Sequence, residues 1–157
     1  MRRNQGGRTI TTKTYSTDID APPEVVFDYV SDVIRHPEWA HEKLEIERTA
    51  GTGNEAGATF AYAVNFMGTT RGTLTVTESV RPSRFVYECD DPSGRYRWTF
   101  EITAKDRGTH LRHRVEFLRE SLKVRLTKAI MIPLVGNRMV NAGLKNIREK
   151  LGQPAPV

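Results

Sequence analysis

Among the four histidines of this sequence, His113 has the most unusual setting. In the segment LRHRVEF, Leu111, Val115 and Phe117 alternate with Arg112, Arg114 and Glu116, and His113 takes the parity of the apolar set. An imidazole, with an ordinary pKa of about 6.5, can hydrogen-bond a ligand oxygen or transfer a proton near neutrality. It can equally be a neutral core group bonded to a tyrosine, to backbone or to water. The other polar groups of matching parity in neighbouring segments are Tyr62, Tyr87, Tyr96 and the Trp98 indole. Glu78 keeps the parity of Leu74 and Val76 and is a second candidate acid or base, although Arg81 and Arg84 offer it an ion pair at the sheet rim.

Other chemistries lack their residues. His36 and His41 flank Trp39 but do not share a helix face, and Pro37 lies between them, so no metal site is expected. Trp39 reads as a packing anchor and His110 as a solvated outer-face group. The single cysteine, Cys89, excludes an internal disulfide, and its FVYEC context suits a small core thiol. There is no G-x-S-x-G elbow, phosphate loop, G-x-G-x-x-G fingerprint or H-E-x-x-H, and no inward carboxylate pair, which argues against a hydrolase. No cofactor is implied. The net charge of +5 invites a nucleic-acid reading. Basic and acidic residues are interleaved, however, and cations cluster only at Arg2, Arg3 and Arg8 and at Lys123, Arg125 and Lys128, so no specific nucleic-acid partner is expected.

The elements that must position these groups follow from periodicity. Residues 1–8 read as a flexible basic head, 153–157 as a flexible tail, and 9–152 as one domain. The head lacks the apolar segment of a secretory signal, which makes a cytoplasmic protein the expectation. Thr9 to Ile19 reads as a first strand. Asp20-Ala21-Pro22-Pro23-Glu24 has the form of a helix start capped by Asp20, leading into a short helix to Asp32 with Val26, Phe27 and Val30 on one stripe. Pro37 interrupts a second helical piece, Ile34 to Ala40. From Glu42 the period becomes two, through six strands apolar on one face: an antiparallel sheet with one solvated side.

Two hairpins can be set in register. With KDRG (Lys105–Gly108) as a four-residue loop, Ile102 faces Leu111, Phe100 faces His113, Trp98 faces Val115 and Tyr96 faces Phe117. The same register sets Glu101 opposite Arg112 and Arg97 opposite Glu116, and a DPSG loop (Asp91–Gly94) sets Asp90 opposite Arg95 and Glu88 opposite Arg97. A slip by one residue would mix the faces and separate the charges. Arg112 and Arg114 are therefore expected as outer-face ion-pair partners.

After Arg119 the period returns to that of a helix, capped by Ser121 and ended by Gly152, with Leu122, Leu126 and Ile130 and then Val140, Leu144, Ile147 and Leu151 on its stripe. Pro133 and Gly136 should kink or split it. A helix is about 10 Å across and seven strands at about 4.8 Å each span roughly 30 Å, so the sheet must curl around the helix and leave space. The segment AIMIPLV (Ala129–Val135) can be a lid or touch a membrane beside Lys123, Arg125 and Lys128. The need to cover the sheet's inner face favours the reading in which the sheet encloses it.

This order, with the Asp20–Phe27 helix start, the IRHPEW segment and the ESVRPSRFVYE stretch, resembles the polyketide cyclase/dehydrase and lipid-transport superfamily, the START-like or SRPBCC proteins, over about residues 9–151. The resemblance implies an α+β helix-grip fold: a seven-stranded curved antiparallel sheet around a long C-terminal helix, with two short helices between strands 1 and 2. It also implies a hydrophobic cavity holding a lipid, a polyketide-like aromatic or a quinone. On parity, the candidate ligand-binding residues are Tyr62, Val64, Phe66, Leu74, Tyr87, Tyr96 and Trp98. Phe100 of the strand before the last, His113, Val115 and Phe117 of the last strand, and Ile130 and Leu134 of the helix complete the set. The leading expectation is a binding protein for a hydrophobic small molecule, monomeric or homodimeric, with possible transient membrane contact. A polyketide aromatase/cyclase or dehydratase using His113 and an inner tyrosine, and a membrane- or partner-recruiting adaptor, stand as alternatives.

Overall fold

The structure of the protein, a computed structural model, describes residues 10–40, 43–65 and 68–152. Seven antiparallel strands form one sheet in the order β1-β7-β6-β5-β4-β3-β2. They are β1 (Thr11–Ile19), β2 (Lys43–Ala50), β3 (Thr59–Asn65), β4 (Thr69–Val80), β5 (Arg84–Asp91), β6 (Gly94–Ala104) and β7 (Thr109–Glu120). Helix α1 (Pro23–Ser31) and a 3-10 helix (Val33–Glu38) connect β1 to β2. After β7 the chain is helical to Leu151: α2 (Leu122–Met131), a π turn (Ile132–Gly136) and α3 (Asn137–Leu151), 30 residues without a break. This is the expected helix-grip α+β architecture, with Pro133 and Gly136 absorbed in the π turn instead of splitting the helix. The head, the tail, Phe66 and His41 lie outside the described residues.

The hairpin registers are those expected: Phe100 faces His113, Trp98 faces Val115, Ile102 faces Leu111 and Glu88 faces Arg97. On the outer face, Glu88 accepts from Arg95 at 2.6 Å and from Arg97 at 2.8 Å, while Glu101 takes Arg84 at 2.9 Å and Arg112 at 3.4 Å. Burial alone would raise the Glu88 pKa, but the Arg97 and Arg95 hydrogen bonds outweigh it and hold the carboxyl below its ordinary value. Arg95 thus leaves its facing residue Asp90 to Arg119, at 2.6 Å. His110 is not merely solvated, because its Nδ1 lies 2.7 Å from Asp18.

Three local readings need correction. Asp20 does not cap α1; the cap position is Pro22 and no side chain bonds there. An Asp20 cap would have to reach the amides two and three residues on, which are prolines and have none. Glu78 does not point inward. A β-bulge between Val76 and Glu78 turns it to the outer face, where it meets Arg84 at 3.0 Å, while Arg81 pairs with Asp28. The AIMIPLV run is not enclosed by the sheet: α2 has no buried residue, and Ile130 and Leu134 are 64% and 63% exposed. The sheet is covered by α3 and α1 instead. Leu144 and Ile147 of α3 and Val26, Phe27 and Val30 of α1 join Phe60, Phe85, Phe100 and Leu111 in one core.

Candidate functional site

Between the inner face of the sheet and α3 lies a cavity of about 260 Å³. β2 and β3 supply Leu44, Ile46, Tyr62 and Val64; β4 and β5 supply Leu74, Tyr87, Cys89 and Asp91; β6 and β7 supply Tyr96, Trp98 and His113. The 3-10 helix region closes it with His36, Trp39 and Ala40, and α3 with Met139, Val140 and Gly143. Strand pleating explains the set, because alternate residues of each strand turn to one face. Gly143 explains the approach of the helix: a Cβ there would stand 3.4 Å from the Trp39 ring.

The cavity has two polar regions in an aromatic and aliphatic wall. In the first, His113 is buried and stacks on Phe100 at 4.1 Å, with Trp98 at 5.2 Å. Its Nε2 has no hydrogen-bond partner among the described residues. His36 is also buried, 4.8 Å from the Trp39 ring and 5.5 Å from that of Tyr87. Its Nε2 lies 2.9 Å from the Val30 carbonyl, which only accepts, so Nε2 carries the proton and Nδ1 is left as an acceptor. Burial lowers the pKa of His113 to about 3, helped by neighbouring His36, and that of His36 to about 4 against the Val30 bond. Both rings are neutral at pH 7.

In the second region, Tyr62 donates to Asp91 Oδ2 at 2.5 Å, and Asp91 Oδ1 accepts from the Ser93 hydroxyl at 2.5 Å and its amide at 2.7 Å. Ser93 is joined to the Tyr96 hydroxyl at 2.8 Å. Burial, with Cys89 and Asp91 nearby, pushes the Tyr62 phenol up, and burial does the same to Tyr96 and to the Cys89 thiol. These groups are proton donors, not anions, at neutral pH. The one carboxylate in the wall, Asp91, accepts hydrogen bonds but has no ion pair among the described residues.

Of the residues expected at the site, Tyr62, Val64, Leu74, Tyr87, Tyr96, Trp98 and His113 line this cavity. Phe100 and Val115 are buried beside it, and Phe117 packs edge-on against Tyr96 at 5.5 Å. Ile130 and Leu134 are far from enclosure, on the solvent side of the helix. Sequence reasoning missed Asp91, His36 and Trp39 as wall residues. For Asp91 a signal existed: it continues the parity of Tyr87 and Cys89. For His36 and Trp39 none did, since a short 3-10 segment has no periodic face. Among the described residues no group of three His, Cys, Asp or Glu side chains is placed to hold a metal, and no helix is long and apolar enough to cross a membrane.

The model of the family described as polyketide cyclase / dehydrase and lipid transport matches residues 11–152. No curated protein matches the sequence. Among solved structures, the Zhui aromatase/cyclase from Streptomyces sp. R1128 superposes with a TM-score of 0.73 at 14% identity, covering 91% of this chain and 94% of that one. TTHA0849 from Thermus thermophilus gives 0.71 at 19% identity over 90% and 97% of the two chains. Ara h 8.0201 gives 0.64 at 14% identity over 91% and 98%. At these identities the likeness is one of fold.

Proposed function

The chain belongs to the polyketide cyclase/dehydrase and lipid-transport family, and on that premise we propose that it binds a compact, flat, largely apolar molecule carrying one or two oxygens between the sheet and α3. The observation that carries the reading is the buried, unpartnered Nε2 of His113 in an aromatic wall. A buried polar atom without a partner costs free energy, and a ligand oxygen placed there would recover it. The volume lies just below the roughly 300–1,000 Å³ of ordinary ligand pockets, which favours an aromatic polyketide-like or quinone-like molecule over a two-chained lipid. Such a binder acts as monomer or homodimer, taking up or presenting its ligand. The test is native mass spectrometry of protein from its own host, followed by organic extraction. A co-purifying aromatic or quinone is expected, and a cavity that stays empty and rejects every apolar probe would overturn the reading.

A second reading, cyclisation or dehydration of a poly-ketone, is favoured by the Tyr62–Asp91–Ser93–Tyr96 chain and by the likeness to a fold in which Zhui is an aromatase/cyclase. In it a phenol donates a proton to a substrate oxygen while His113, neutral at pH 7, positions the substrate by a hydrogen bond to a second oxygen. A His113→Ala variant that turns over a poly-ketone at the wild-type rate would remove it.

A further inference from the structure

We propose that the exposed face of α2 is a docking surface for an anionic lipid bilayer. Leu122, Leu126, Ile130 and Leu134 recur every four residues and are 68%, 72%, 64% and 63% exposed, so one side of the helix presents a continuous apolar stripe to solvent. The opposite side is anchored: Lys128 Nζ lies 2.8 Å from Glu120 Oε2 and 3.3 Å from the Thr11 hydroxyl, and Ser121 caps the first turn. The stripe therefore cannot turn inward without breaking these bonds.

The charges beside the stripe identify the partner. Lys123 and Arg125 flank it on either side, both exposed, and neither has an ion pair among the described residues. From Ser121 to Arg148 the sequence contains no Asp or Glu, while Lys123, Arg125, Lys128, Arg138, Lys145 and Arg148 are all cationic. A second copy packed on this face would set cations against cations with no acid of α2 to meet them, and like charges brought together oppose association. In the sequence before β1, residues 1–9 contain Arg2, Arg3 and Arg8 and no acid. An apolar stripe bordered by cations is what a helix lying in the plane of an anionic membrane requires, with side chains at the acyl boundary and cations among the headgroups.

This proposal stands independently of what the cavity holds, and vesicle flotation of the full chain tests it. At low salt the protein is expected to float with vesicles containing about one third phosphatidylglycerol and not with phosphatidylcholine alone, and added salt should weaken the interaction. Lys123→Gln with Arg125→Gln should weaken partition about thirtyfold. Leu126→Glu with Ile130→Glu should abolish it while leaving the melting temperature unchanged, and Leu126→Ser alone serves as the milder variant. Absence of flotation with anionic vesicles, or flotation that these substitutions leave intact, overturns the proposal. So does sedimentation velocity showing a dimer that the Leu126→Glu, Ile130→Glu variant splits, which would assign the stripe to a second copy.

Discussion

α3 buries Leu144 and Ile147, while α2, of the same continuous helix, leaves Leu122, Leu126 and Ile130 in solvent. Both halves carry a helical apolar spacing, by fours in α2 and by four, three and four in α3, so the pattern alone does not explain why one face is buried and the other is not; what each half meets does. α3 lies against the sheet and Trp39, with Gly143 allowing close approach, Tyr15 donating to Asn137 at 2.7 Å and Asn146 donating to the Trp39 carbonyl at 3.0 Å. α2 is tied to the sheet by Lys128 and the Ser121 cap, which are polar anchors at the β1–β7 end, and among the described residues no apolar wall faces its stripe. An amphipathic pattern states that a face must find an apolar partner; it does not say that the partner is this sheet.

Truncation should break the symmetry of the two halves most visibly. Ile147→Ala removes a fully buried side chain and should lower unfolding free energy by about 2–5 kcal/mol, read from the urea midpoint at unchanged slope. Acid should loosen the α3 side next. His36 and His113 bind protons in the folded state only at about pH 4 and 3, while in the unfolded chain they do so at the ordinary value, so stability is full above about pH 6.5 and falls as pH drops toward 4. Between pH 7 and 5 the pair should cost roughly 4 kcal/mol, and His113→Phe should about halve that loss, measured by urea titration at each pH. A branched side chain at the closest approach comes third. Gly143→Val should cost about 1–3 kcal/mol, because its methyls press on the Trp39 ring and backbone already at contact distance from a Cβ, while Gly143→Ala should be mild. On the other half, Leu122→Ser should change stability by no more than about 0.5 kcal/mol. A loss there comparable with Ile147→Ala would show that the two halves do not differ in the way described.

The sheet was legible from the chain because parity and charge agreed. The inward set Tyr96, Trp98, Phe100 and His113 and the outer pairs of Glu101 with Arg112 and Arg97 with Glu116 permit a single register, and the structure has it. The candidate site was legible only where it is strand. Of the two readings of Glu78, parity pointed inward and nearby charge to a rim ion pair; the pair with Arg84 is the one observed, because one bulged residue reverses parity and a bulge leaves no trace in an alternating pattern. Asp91 was assigned to a turn although its parity with Cys89 pointed inward, and the bond from Tyr62 that makes it part of the wall joins residues distant in sequence.

The sequence by itself determined the order of elements, the register of the last two hairpins and the buried position of His113, since these follow from local alternation and from charge pairs joined by short loops. Only the tertiary structure decided that His36, Trp39 and Asp91 share a wall with His113 and that one end of the helix closes the cavity while the other faces solvent. Such facts depend on which surfaces meet across long stretches of chain, and no local period encodes that.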